Sequence, residues 1–183
     1  SLESITIPQH VTIIGTGAFS YCQKLEKVEF SDNSELQIID EAAFSYSSLS
    51  SLSLPSSIAK FNDGWCITYT LLNNLKVIPC KEKNITVFEN TFLIGKSDLK
   101  SENFDVLIFA RRDIKIAVIP SFIKIIAQYA FDECRQLEQI VFSNDSQLTK
   151  IDNYAFSSSS LRFISIPNQV TTIGKHAFNS CTN

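Results

Sequence analysis

Leu2-Glu3-Ser4-Ile5-Thr6-Ile7-Pro8-Gln9-His10-Val11-Thr12-Ile13-Ile14-Gly15-Thr16-Gly17-Ala18-Phe19-Ser20-Tyr21-Cys22 is a pattern that the chain writes more than once. It returns between Ile114 and Cys134, with Ile119-Pro120, Ile126 and Ala130-Phe131 in the matching places. It returns again between Leu161 and Cys181, with Ile166-Pro167, Val170, Ile173-Gly174 and Ala177-Phe178. A second version alternates with it. Leu25-Glu-Lys-Val28-Glu-Phe30-Ser-Asp-Asn-Ser-Glu-Leu36 runs on to Ile39-Asp40 and Ala43-Phe44, and its twin is Leu137 to Leu148 with Ile151-Asp152 and Ala155-Phe156. The two halves keep register, since 137 − 25, 148 − 36 and 156 − 44 all equal 112. Read from Leu2, Leu25, Leu49 and Leu75, successive starts are 23, 24 and 26 residues apart.

Such a period dictates architecture. In Leu-x-x-Ile-x-Ile the fourth and sixth residues share one face of a strand, because side chains alternate across it. One coil cannot bury that face alone. Stacked coils can, by placing their strands about 4.8 Å apart in a parallel sheet. Pro8, Pro55, Pro120 and Pro167 follow the strands and stop them, because proline has no N–H for the next ladder bond. Val11-Thr-Ile13-Ile14 reads as a short return strand, and the Ala-Phe pair as a short helical turn that plugs the layer. The expected fold is therefore a strand-rich α/β repeat solenoid over residues 1–183. Its regular repeats span 2–74 and 114–183, and an irregular, expanded repeat spans 75–113.

The pattern L-x-x-I-x-I-P-x-x-V-x-x-I-G-x-x-A-F-x-x-C resembles the BspA-like leucine-rich repeats, a family of surface antigens of bacteria and parasitic protists. The period lies within the range of about 20–29 residues known for leucine-rich repeats. The resemblance implies a right-handed leucine-rich-repeat coil with a curved parallel sheet on its concave face. It further implies cell-surface or secreted location, adhesion to host matrix or cell-surface ligands, and no catalytic residues. An intracellular scaffold for protein–protein interaction is the alternative built from the same repeats, and five mostly unpaired cysteines would suit it.

In the irregular middle, Phe92-Leu-Ile94 and Val106-Leu-Ile-Phe-Ala110 flank the polar stretch 96–105. Two apolar runs around a polar connection read as a hairpin or an extra rung. Such an insertion is either a tolerated loop or a lip on a binding surface. Trp65-Cys66 stands where neighbouring repeats have Ala-Phe.

Composition narrows the function. A net charge of −3 disfavours nucleic acid, whose binding needs many Lys and Arg contacts. No apolar run reaches the roughly 20 residues of a membrane helix. Cys22, Cys134 and Cys181 share one repeat position, and Cys134 and Cys181 are expected about 9–10 Å apart, two sheet spacings. That exceeds the Cα separation of about 7 Å that a disulfide tolerates, so all three read as small core residues. Whether Cys66 and Cys80 pair is left open. The absence of any C-x-x-C gives zinc no support. The two histidines, His10 and His176, fall at positions that vary between copies and read as solvent-facing. No catalytic, cofactor-binding or metal site is expected. Asn84-Ile-Thr86 and Asn144-Asp-Ser146 match the N-glycosylation pattern, which only permits an extracellular life.

The third and fifth repeat positions point away from the core. They nominate Lys27, Glu29, Val77, Ile116, Val118, Gln139, Val141 and Phe163 as candidate partner-binding residues, for a protein or glycan ligand. The apolar members are unusual on a wet surface and imply a cover. Either a partner supplies it or the segment Val106–Ala110 folds over them.

Overall fold

The computed structural model describes residues 2–67 and 72–181. Residues 68–71, inside the first run of repeats, lie outside that description. The chain forms two compact units, Ser1–Asn90 and Thr91–Asn183. Each is a strand-rich parallel β-solenoid, and the chain holds about seven turns in all.

In the first unit the leading strands are β1 (Ser4–Ile7), β3 (Lys27–Phe30), β5 (Ser51–Pro55) and β7 (Asn74–Ile78). The return strands are β2 (Ile13–Ile14), β4 (Ile38–Ile39) and β6 (Lys60–Phe61), and β8 (Ile85–Phe88) follows β7. β1 pairs β3 in parallel from Ser4↔Lys27 to Ile7↔Phe30, β5 pairs β7, and β2, β4 and β6 form their own parallel sheet. The second unit has β9 (Phe92–Gly95), β10 (Val106–Ala110), β11 (Ile116–Ile119), β12 (Ile125–Ile126), β13 (Gln139–Phe142), β14 (Lys150–Ile151) and β15 (Thr172–Ile173). β11 and β13 are its paired leading strands, and β10, β12, β14 and β15 make a parallel return sheet.

Alternation sets which side chains enter the core. In β3, Val28 and Phe30 are buried while Lys27 and Glu29 are exposed, and β11 buries Ala117 and Ile119 between exposed Ile116 and Val118. The first leucine of the later repeats (Leu25, Leu49, Leu72, Leu137, Leu161) lies in the core while Leu2 is exposed, and Ile39, Ile126 and Ile151 of the return strands are buried as well. Phenylalanine forms a spine through the plugs. Phe131 stacks on Phe156 at 4.9 Å and Phe156 on Phe178 at 5.3 Å, close to the spacing between turns. At Trp65-Cys66 the sizes are exchanged. Trp65 occupies the small-residue column and packs against Phe61 at 4.8 Å, with Cys66 buried beside it.

Two expectations need correction. The plugs are not helical: among the described residues no helix forms. The residue before each Ala-Phe pair has positive φ, as at Gly17, Ala42, Tyr129, Tyr154 and His176. Left-handed residues cannot continue a right-handed helix. Alternate plug N–H groups instead reach the next turn, as in Phe19 N–H to Ala43 O and Phe131 N–H to Ala155 O. The intervening ones close tight turns, as in Ala18 N–H to Gly15 O. The fourth repeat begins at Leu72, not Leu75. Leu75 pairs with Leu52 and Val77 with Leu54, which sets the steps at 23, 24 and 23. Close approach rather than φ requires Gly174, where a Cβ would lie 2.4 Å from the Asn153 amide nitrogen.

Phe156→Ala is expected to cost about 3–5 kcal/mol, because it empties the middle of a stacked column. Ala42→Gly is expected to gain about 0.5–1 kcal/mol by relieving a left-handed Cβ. Urea unfolding followed by far-ultraviolet circular dichroism measures both.

Candidate recognition surface

The outward positions of the leading strands differ between the two units. In the first they are Ser4 and Thr6, Lys27 and Glu29, Ser51 and Ser53, and Asn74 and Lys76. Lys27 Nζ sits 2.6 Å from Glu29 Oε1, so these two exposed charges satisfy each other along the strand. Val77 does not belong here. Its partner Leu54 is buried, so Val77 takes the core-facing sixth position and Lys76 is the exposed neighbour. The register shift from Leu75 to Leu72 is the cause.

In the second unit the register brings Ile116 beside Gln139, Gln139 beside Phe163, and Val118 beside Val141. Ile116 is 58% exposed, Val118 60% and Phe163 73%, while Val141 is half-buried. The alternative cover is absent. Phe92–Gly95 and Val106–Ala110 form an antiparallel hairpin, and β10 pairs with the return strand β12 through Val106↔Ile125 and Leu107↔Ile126. The insertion therefore extends the return sheet and leaves the β11–β13 face open. Ile108, Phe109 and Ala110 are buried there and have no reach to spare.

The family model for the BspA type leucine rich repeat region matches residues 1–106 and 102–183 in six copies. The chain belongs to the BspA-type leucine-rich-repeat family. Among solved structures, the pneumococcal vaccine antigen PcpA shares 30% identity with it at a TM-score of 0.84. A leucine rich cell surface protein of Faecalibacterium prausnitzii shares 24% at 0.76, and a leucine-rich repeat protein of Eubacterium ventriosum 21% at 0.67, which show the fold. The chain is covered to 98% in all three but spans only 43%, 45% and 52% of theirs. No curated protein matches it.

The remaining candidate groups of this BspA-type chain have structural partners. His10 is exposed and bonds Glu35 of the next turn at 3.0 Å, and exposed His176 stacks on Tyr154 at 5.0 Å. Cys22, Cys80, Cys134 and Cys181 are free thiols, so Cys66 and Cys80 do not pair. Of the two glycosylation patterns, Asn84 is buried and donates to Ser57 O at 2.9 Å, so the folded chain withholds it, whereas Asn144 is exposed. Among the described residues no three His, Cys, Asp or Glu side chains are placed to hold a metal ion.

One residue escaped sequence reasoning. Arg112 is only 1% exposed, although arginine is almost never buried without a partner. Its guanidinium lies 3.9 Å over the Phe109 ring and donates to Ala110 O, Ala130 O, Tyr129 O and the Cys134 sulfur. These are additional donors, because Ala130 O also accepts from Ala110 N–H of the neighbouring turn and Tyr129 O from Asp132 N–H. Nε alone lacks a partner. The sequence signal was the charged pair Arg111-Arg112 directly after a core strand. Burial pushes the nearby Asp132 carboxyl up to about 6, against the opposing pull of the Arg112 charge and a Ser157 hydrogen bond. Burial also raises the Cys134 thiol.

Arg112→Ala is expected to cost about 3–5 kcal/mol, since it removes a buried guanidinium's hydrogen bonds and the charge opposite Asp132. Asp132 holds its proton more tightly when folded than when unfolded. Stability from this group is therefore full at low pH and falls as pH rises from about 4 to about 6. Relative to wild type, Asp132→Asn is expected to gain stability across that window. Urea midpoints of both proteins at about pH 4 and about pH 7 check the sign.

Proposed function

We propose that this chain is a non-catalytic recognition module of a cell-surface protein, binding a protein or glycan partner through its leading-strand face. The observation that carries the reading is the open row of Ile116, Val118 and Phe163 on the β11–β13 face. Apolar side chains aligned on a sheet and left uncovered by their own chain mark a contact surface. The face is also preorganised. Strands set at fixed spacing by the stacked core lose little freedom on binding, which favours affinity. A curved, right-handed sheet, as the family's solenoids imply, would wrap such a surface around a rounded partner.

Surface display rests on family membership and on the likeness to a vaccine antigen and a bacterial cell surface protein. A second reading, an intracellular scaffold, is favoured by the free thiols of Cys22, Cys80, Cys134 and Cys181, which suit a reducing compartment. Labelling of intact source cells with a membrane-impermeant reagent separates the two. Labelled chain is expected for the surface module, and protection until lysis would establish the scaffold.

Matrix proteins and cell-surface glycans immobilised on biosensors test the binding face. Ile116→Asp and Val118→Asp are each expected to weaken capture by about tenfold or more, because a carboxylate would be desolvated without a partner. Circular dichroism and melting are expected to stay as in wild type, since both side chains already face water. Loss of fold in either variant, or unchanged capture in both, would remove this face from the proposal.

A further inference from the structure

The second unit carries a groove between its last two turns, and at the equivalent gap of the first unit a serine hydroxyl crosses from turn to turn. In repeats of the Leu137 type the step from the first leucine to the apolar residue before the return strand, Leu148, is 11 residues, whereas in the next repeat it is nine, Leu161 to Val170. The two extra residues act as a wedge. β11 and β13 are zipped by four residue pairs, but β13 meets the last turn through the single bridge Gln139↔Phe163. The ladder resumes only at Thr171 N–H to Thr149 O. Between those two points, no backbone hydrogen bond among the described residues joins the turns. A cavity of about 410 Å³ opens there.

The same wedge exists after Leu25–Leu36 in the first unit. There the Ser57 hydroxyl donates across it, to Leu36 O at 2.8 Å and Ser34 O at 3.2 Å. In the second unit the Ser57 position is Gln169, which lines the cavity, and the Ser51 position is the exposed Phe163. Among the differences between the two copies, these two remove the serine bridge and place an aromatic ring at the mouth of the groove.

We infer that this groove is a binding site for an uncharged saccharide. The inference deepens the recognition reading above and rests on it. No ionisable side chain lines the cavity, which disfavours phosphate, sulfate, sialic acid and charged peptides alike. Gln139, Asn144, Ser165, Asn168 and Gln169 offer amides and hydroxyls, which both donate and accept, as each sugar hydroxyl requires. The Phe163 ring offers a flat apolar face to the C–H side of a pyranose. The volume lies in the range of small-ligand sites, and the Gln139↔Phe163 bridge at one end and the β14–β15 ladder at the other hold the groove formed without a ligand.

The test is an NMR titration of the chain with a panel of neutral mono- and oligosaccharides, their sialylated counterparts and a short extended peptide. At least one neutral sugar is expected to bind at low-millimolar concentration or better, to shift resonances of Gln139, Phe163 and Asn168, and to bind equally at low and high salt. Phe163→Ala is expected to weaken it about tenfold and Phe163→Trp to preserve it. Gln169→Ser, which restores the residue of the bridged wedge, is expected to abolish it. The inference is overturned if no neutral sugar binds, if only the sialylated sugars or the peptide shift the groove, or if Gln169→Ser binds as wild type. Ile116 lies outside the groove, so Ile116→Asp separates the outcomes. Lost partner capture with sugar binding intact upholds both readings, and sugar binding without any partner dependence on Ile116 confines the failure to the face.

Discussion

The structure depends on one constraint: each turn must leave its backbone groups where the neighbouring turn can pair them. Buried N–H and C=O groups left alone cost as much as lost hydrogen bonds. A coil with a core only one side chain deep has little else to satisfy them. The leading strands and return strands meet the demand by parallel ladders, and the plugs meet it by alternating a tight turn with a bond to the next rung. That alternation needs left-handed residues at fixed places. Gly17 and Gly64 take them easily, and Ala42, Tyr129, Tyr154 and His176 are held there by the stack.

Where the constraint is disturbed, the molecule does something local about it. At the hairpin of the second unit, the buried Arg112 side chain adds its own donors to the plug carbonyls, at the cost of an orphaned Nε and a carboxyl that holds its proton unusually well. At the long connection after Phe142, nothing takes over and a groove remains. In the first unit a single serine hydroxyl suffices to bridge the equivalent gap. Solenoids tolerate such local events because each turn contacts only its neighbours, so a defect does not spread through the whole core. Surface specificity can therefore change one rung at a time, as in the exchange of Ser51 for Phe163 at one repeat position.

The recognition reading follows from the same economy of neighbours. Positions that point away from the core carry no packing duty, so their chemistry is free to serve partners. In the first unit they are hydroxyls, a self-satisfied Lys27–Glu29 pair, and the polar Asn74 and Lys76. In the second they are Ile116, Val118 and Phe163. The contrast between two units built on one repeat is what gives the apolar row its meaning.

The sequence by itself determined the repeat, the core columns and the outward positions of the well-kept copies, because period-2 alternation and a period of about two dozen residues are written in residue types. It also exposed the hairpin, since two apolar runs around a polar stretch have few other solutions. Three matters were left to tertiary structure. Leu72 and Leu75 both head plausible Leu-x-x motifs, and only pairing with Leu52 and Leu54 chose between them, which moved Val77 inward. The plugs read as helical because Ala-Phe carries no mark of backbone handedness, and the left-handed residue beside it is set by bonds to another turn. The sheet that β10 joins, the burial of Arg112 and the open wedge at Gln169 all depend on contacts between residues distant in the chain. Local sequence holds no record of such contacts, because a neighbouring coil supplies the partner.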